Sequence, residues 1–287
     1  DYFKKDKLFS KNDKPAFNQK DERFLKLKVA LPFLSSKRLE LGFGIAQIED
    51  RYFQNNVIDF DKDKYDKSGY RLFGGSVSFN GSTLNSRQFP IQGAREALVA
   101  QIFTGNESFR PGVNSENKKP VKEKHSWLQL SYMKEKYHKM GANWILGWYL
   151  DAVYASKNFS ENYTATMMQA SEFAPTAHSK LTYNEAFRAN QYVAAGIRPI
   201  YRLNQMFHVR GEFYGFLPIF PIERNSINKA YYGKAFSRFE YLGEISVVCQ
   251  LPFGAISAYV NHYSSPRREW NVGLTLGWQL FNYRFIE

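Results

Sequence analysis

Residues 271–287 read NVGLTLGWQLFNYRFIE. Every second position up to Leu280 is apolar: Val272, Leu274, Leu276, Trp278 and Leu280. The positions between them, Asn271, Gly273, Thr275, Gly277 and Gln279, are small or polar. A period of two predicts a β-strand with one greasy face, here over 269–283. Three rings, Phe281, Tyr283 and Phe285, follow almost at the end of the sequence.

The same alternation recurs upstream. In FLKLKVALPF the apolar phase is Leu25, Leu27, Val29 and Leu31, with Lys26 and Lys28 opposite. In NWILGWYLDAVY it is Trp144, Leu146, Trp148 and Leu150, with Asp151 opposite. In MFHVRGEFYGFL, Phe207, Val209 and Phe213 oppose His208, Arg210 and Glu212. In FEYLGEISVVCQL, Ile245 and Val247 oppose Glu240 and Glu244. The pattern predicts eleven strands, over 25–33, 38–50, 69–80, 94–104, 125–137, 141–155, 189–202, 206–218, 237–251, 254–263 and 269–283. Residues 1–24 read as an outer loop or linker ahead of a barrel spanning 25–287.

Alternation also suits a soluble β-sandwich, whose greasy face is its core. Composition separates the two. Mean hydropathy is −0.49 while aromatics reach 17%, with 25 Phe and 19 Tyr. A polar average with abundant rings matches an all-β transmembrane antiparallel barrel, which needs polar loops, a polar lumen, an apolar outer band and aromatic girdles. Trp144, Leu146, Trp148, Leu150, Leu274, Leu276 and Trp278 are then expected to face lipid, so Leu146→Arg should damage folding more than the inward change Gly147→Ser. No run of about 18 apolar residues is present, so no helix is expected to cross a membrane. An exported barrel also requires a signal peptide, and none is visible. The net charge is +12, and the lysines cluster in segments such as KKDKLFSKNDK and ENKKPVKEKH, which mix in acids and read as solvated loops or contacts to anionic lipid headgroups, not as a nucleic-acid surface.

Loop lengths orient the strands. Short connections at 34–38, 137–141, 202–205 and 251–254 share one end, and long ones at 54–68, 105–124, 156–188 and 219–236 share the other; 81–93 is a long exception at the short end. Outer-membrane barrels keep their short turns periplasmic, which puts the C-terminus in the periplasm of a bacterial outer membrane. Single-chain barrels have even strand numbers, so an odd count of eleven suggests further strands upstream.

Catalytic chemistry is not expected within the chain. Gly74-Gly75-Ser76-Val77-Ser78 lacks the closing glycine of a nucleophile elbow and sits within an alternating strand. With one cysteine, Cys249, and five scattered histidines, no cysteine-based metal site and no cofactor are expected, and His125 and His138 lie at opposite ends of one strand. The inward phase does carry charge. His208, Arg210, Glu212 and Glu244 are expected in the lumen. Arg188, in the long connection 156–188, is expected to turn inward as a plug and pair with Glu212 or, failing that, Glu244.

The run APTAHSKLTYNEAFRANQYVAAGIRPIYRLNQMFHVRGEFYGFLP (174–218), with AISAYVNHYSSPRREWNVGLTLGWQLFNYRF, EDRYFQ, TLNSRQFPIQG and LGWYLDAVYASKNFSENYTATMMQA, resembles the C-terminal barrel of outer-membrane patatin-like phospholipases. The resemblance implies a periplasmic patatin hydrolase upstream and a 16-stranded barrel of the outer-membrane assembly-factor superfamily, of which this chain would hold about the last eleven strands. It also implies a long loop between the eleventh and twelfth strands, carrying a hydrophobic–Arg–Gly–aromatic motif into the lumen. Phe187-Arg188-Ala189-Asn190 is similar to that motif but has alanine for its glycine. The terminal rings resemble the signal read by the barrel-assembly machinery, although the chain ends on Ile286-Glu287. The implied function is anchor and translocator of a lipid acyl hydrolase, in contact with outer-membrane lipids and lipopolysaccharide. The alternatives are an assembly-factor-type insertase or translocation pore, or a structural subunit that forms a homodimer or docks on other outer-membrane proteins.

Overall fold

The computed structural model describes residues 18–34, 36–53, 65–113, 115–252, 254–265, 270–277 and 285–286. Its centre is one eleven-stranded antiparallel sheet. In chain order the elements are β1 (Asn18–Leu34), β2 (Lys37–Tyr52), β3 (Asp66–Ser82), β4 (Gly93–Arg110), β5 (Val121–Lys139), β6 (Trp144–Ala155), α1 (Tyr163–Gln169), β7 (Ser171–Glu172), β8 (Arg188–Ala189), β9 (Gln191–Arg202), β10 (Phe207–Pro218), β11 (Ile222–Arg224), β12 (Ala230–Tyr232), β13 (Glu240–Leu251), β14 (Gly254–Tyr263) and β15 (Trp270–Gly277). The large sheet runs β1-β2-β3-β4-β5-β6-β9-β10-β13-β14-β15, each strand beside its predecessor in the chain. β7 pairs with β8 and β11 with β12 as small ladders inside the long connections.

The alternation read from the sequence appears as two unlike faces. Outward lie Leu25, Leu27, Val29 and Leu31 of β1, Phe43 and Ile45 of β2, Ile102 of β4, Trp144 and Leu146 of β6, Ile245 and Val247 of β13, and Leu274 and Leu276 of β15, all exposed. Trp148 and Leu150 share the outward phase and are half-buried; Trp278 lies outside the described residues. Inward lie Asp50, Gln101, Glu107, His125, Gln129, Glu135, Arg198, Arg210, Glu212 and Glu244, all buried. A water-soluble protein keeps such continuous apolar patches small. Polar inside and apolar outside is the wall of a transmembrane β-barrel.

The ends of the strands differ from the sequence reading in a consistent way. β1 already begins at Asn18, inside the segment expected to be a linker, and pairs with β2 from Asn18 opposite Tyr52 onward. β4 continues to Arg110 and β5 begins at Val121, so the expected loop 105–124 shrinks to 111–120. The reason is that alternation persists where the outward phase turns polar: Glu107 and Phe109 still point inward opposite Thr104, Asn106 and Ser108. Strands therefore extend past the apolar band, where apolarity no longer marks them.

Two further expectations change. The strand predicted over 269–283 is described only as Trp270–Gly277; Phe281 and Tyr283 lie outside the described residues. Phe285 is buried, with its ring 6.1 Å from Phe24 and 5.6 Å from Phe103 and its backbone N–H donating to the Glu22 carboxylate at 2.6 Å. Phe285 thus lies against β1, which stands at the opposite margin of the sheet from β15. Gly147→Ser is also no neutral change, because a Cβ there would stand 2.7 Å from the Tyr137 ring and 3.1 Å from the Arg198 Cβ.

Candidate functional site in the lumen

Two segments enter the space enclosed by the sheet, one from each end. From the short-turn end comes the connection between β3 and β4. It is pinned at Gly93, whose φ of +94° glycine adopts freely and whose absent side chain lets the Thr83 carbonyl approach. The turn carries Phe89, 9% exposed, against Val248 and Ala255. Its length, an exception among the short connections, is thereby explained: it is a small inner plug, not a simple hairpin.

The turn docks on a buried charge cluster. Arg210 of β10, 1% exposed, donates from Nη1 to the Pro90 carbonyl at 2.9 Å and from Nη2 to the Tyr137 hydroxyl at 3.0 Å, while its Nε pairs with Glu212. Arg198 of β9 donates from Nε to the Tyr214 hydroxyl at 2.6 Å and pairs through Nη1 with Glu135 of β5. The same Nε lies 3.8 Å from Glu212, to which the Tyr214 hydroxyl donates. Two guanidinium groups thus face two carboxylates across three strands. Buried charges persist only when paired and hydrogen-bonded in this way. The cluster ties β5, β9 and β10 together and fixes the inner turn.

From the long-loop end comes 156–190. Asn162 caps α1, its side-chain oxygen accepting from the Ala165 N–H at 2.9 Å, and donates from Nδ2 to the Tyr52 hydroxyl at 2.7 Å. Gln169 donates to Asp50 of β2. The Tyr70 hydroxyl of β3 meets Ser160 at 2.7 Å and donates to Glu107 of β4 at 3.1 Å. Farther along, Phe173 and Phe187 stack among Tyr192, Tyr214 and Phe216, with Phe173 and Phe216 centroids 5.6 Å apart. Asn261 of β14 donates to the His178 Nδ1 at 2.8 Å. The connection makes contacts on β2, β3, β4, β9, β10 and β14.

Arg188 points inward but its partner is not the expected one. It pairs with Glu172 at 2.9 Å, and neither Glu212 nor Glu244 is near it in any contact. Its Nη1 also approaches the carbonyls of Met167, Met168 and Ala170 at 3.3–3.4 Å, and its guanidinium lies 4.7 Å over the Tyr183 ring. Those carbonyls are the unsatisfied C-terminal end of α1, where a cation is favourable. Glu212 is instead taken by Arg210, two residues away on the same face, and Glu244 accepts from Asn261 at 3.4 Å. Arg188 therefore organises the loop itself. Ala189 lies in extended backbone opposite Ser171, a conformation alanine adopts without cost. A double-mutant cycle of Arg188→Ala with Glu172→Ala is expected to give a coupling of about 1–3 kcal/mol in urea unfolding, whereas Arg188→Ala with Glu212→Ala should be additive.

His208, expected in the lumen, is buried on the inner face of β10. Glu107, Glu123 and His125 bring ligand atoms within 4.8 Å of one another. Glu107 already has the His125 Nε2 at 2.8 Å and the Tyr70 hydroxyl, so protein donors satisfy it. Ser76 lies within β3 and donates to the Gly42 carbonyl at 3.4 Å.

Lys157 is the least expected inward group. It is buried, with Nζ 4.7 Å over the Trp127 ring and 5.6 Å over Tyr70. Burial, assisted by the charge of Lys20, pushes its ammonium from 10.5 down to about 7. A base lowered in the folded state costs stability as the unfolded chain gains its proton. Relative to Lys157→Met, the protein should therefore lose stability as pH falls from 10.5 toward about 7, with no further change below that. Denaturant titrations of both proteins across this window check the sign.

Arg198, Glu135, Lys157 and the inner role of the 83–93 turn are not among the inward groups expected from the sequence. Arg198 was readable, since it opposes the outward phase Val193, Ala195 and Ile197. Glu135 sits in SYMKEKYHK, where both phases are polar and no inward side can be chosen.

No protein-family model and no curated protein sequence matches the chain. Among solved structures, the transport unit of the autotransporter AIDA-I from Escherichia coli is similar at 12% identity and a TM-score of 0.42, covering 90% of this chain and 81% of that one.

Proposed function

We propose that the chain is an outer-membrane barrel whose lumen is closed from both ends, serving as the anchor and translocator module of a patatin-like lipid acyl hydrolase. The observation that carries the membrane reading is the inverted wall, with Leu27, Phe43, Ile102 and Ile245 exposed outside and Arg198, Arg210, Glu135 and Glu212 buried inside. The hydrolase partner is supported by the sequence resemblance of 174–218 and by the place of the long connection, which precedes the last five strands of the sheet and folds inward. In this reading the C-terminus faces the periplasm and the hydrolase precedes residue 1.

In this reading the nucleophile belongs to the hydrolase and not to the barrel. Residues 1–287, refolded in detergent, are expected to show no hydrolysis of phospholipid or simple esters, while the full gene product hydrolyses them and fractionates with the outer membrane. Hydrolysis by residues 1–287 that disappears in Ser76→Ala would overturn the assignment of roles. A full gene product without esterase activity, but with repeated periplasmic adaptor domains, would favour the insertase or pore.

A further inference from the structure

The outer face of β1–β5 carries a polar row at one height. Arg23, Gln47, Arg71, Asn106 and Lys124 are successive cross-strand partners and all are exposed. The next row toward the short-turn end is Leu25, Ile45, Phe73, Thr104 and Ser126. Apart from Ser126, the two rows line an open groove of about 750 Å³. Thr104 and Gly105 are small and leave the groove open, and Gly105 has no room for a side chain against the Arg71 carbonyl.

Among the described residues the cations of this row carry no ion pair. One row farther toward the long loops, the carboxylates are engaged: Glu49 by Arg51 at 2.6 Å and Lys67 at 2.5 Å, and Asp21 by Arg51 at 3.6 Å. Among the described residues no carboxylate pairs with Arg23, Arg71 or Lys124. A cation row directly above an apolar band is where a bilayer places its headgroups.

The geometry points to a site for an acylated lipid with a phosphorylated sugar headgroup, of the lipopolysaccharide kind, with its phosphates on Arg23, Arg71 and Lys124 and its acyl chains along Leu25, Ile45 and Phe73. Strands lie about 4.8 Å apart, so the row spans roughly 19 Å. That is too wide for one phosphate and suits a headgroup bearing more than one. The alternation matters as well: Gln47 and Asn106 stand between the cations, and amides pair with sugar hydroxyls where further cations would not. Arginine can grip phosphate with two parallel hydrogen bonds.

This inference rests on the membrane reading proposed above, and its test separates the two. The triple variant Arg23→Gln/Arg71→Gln/Lys124→Gln is compared with Lys136→Gln/Lys139→Gln/Arg202→Gln, which removes equal charge at the short-turn end. Folding into phosphatidylcholine vesicles is followed by heat-modifiable gel migration. Failure of the unaltered protein to insert would refute the membrane reading itself. Titration with lipopolysaccharide should show binding weakened about tenfold or more in the first variant and unchanged in the second. Dephosphorylated lipopolysaccharide, phosphatidylglycerol and inorganic phosphate should each bind the unaltered protein much more weakly. Arg71→Gln alone should give a smaller loss in the same direction, which covers a triple variant that fails to fold. Equal binding by the two triple variants, or by lipopolysaccharide with and without its phosphates, would overturn the site. Equal affinity for phosphatidylglycerol would overturn the sugar headgroup, and full competition by inorganic phosphate would reduce it to a free-anion site.

Discussion

Ile102→Arg should prevent residues 1–287 from folding into lipid vesicles, while Leu181→Arg should leave folding unchanged. Both side chains are exposed, Ile102 at 64% and Leu181 at 79%. In water the two substitutions would be alike, since surface changes away from special features stay within about 0.5 kcal/mol. They differ in what they are exposed to. Ile102 stands midway along β4, in a row with Leu27, Phe43 and Leu128 on the outward face. An arginine at the bilayer midplane of a barrel wall costs about 2–4 kcal/mol. Leu181 lies in the 156–190 connection, beyond the strands. Heat-modifiable gel migration after refolding into phosphatidylcholine vesicles reads both outcomes. Equal tolerance of the two would mean that the outward face meets water and that the apolar band has some other cover.

The wall was legible in the sequence because one physical signal, a period of two, states it repeatedly. Eleven strands were expected, and the large sheet has eleven. What fills the wall was much less legible. The partner of Glu212 shows why. Residues two apart on a strand share a face, so Arg210 was always the nearest cation to it, and a loop arginine could reach it only by displacing that contact. The local competitor wins over a charge brought from a distant loop. Arg188 has a local acceptor too, in Glu172 and the end of α1, but strand parity places YTATMMQ within the long connection and marks no helix there. The 83–93 turn was set aside as an oddity of length, although length was the one sign that it does something other than connect.

Arg210→Leu should be the most damaging single change inside the wall, at about 3–5 kcal/mol, because it leaves Glu212 buried beside only the more distant Arg198. Leucine fills much of the same volume, so lost packing is a minor part of the effect. The double variant Arg210→Leu/Glu212→Leu should cost less than the single one, since no unpaired carboxylate remains and the hydroxyls of Tyr137 and Tyr214 can turn to other acceptors in the cluster. Conductance separates the plug from mere stability. Arg210 holds the Pro90 carbonyl, and a further polar tie from this turn to the wall is Gln250 on Ser86 at 3.4 Å. Both variants lose the Pro90 contact, so both should loosen the turn and raise single-channel conductance in planar bilayers, whatever their difference in stability. Arg188→Ala acts at the other end of the lumen and should leave the 83–93 turn seated. If the single and double Arg210 variants unfold at the same urea concentration, charge pairing is not what stabilises the cluster. If neither variant conducts more than the unaltered protein, the 83–93 turn does not close the lumen, and the 156–190 connection blocks it alone.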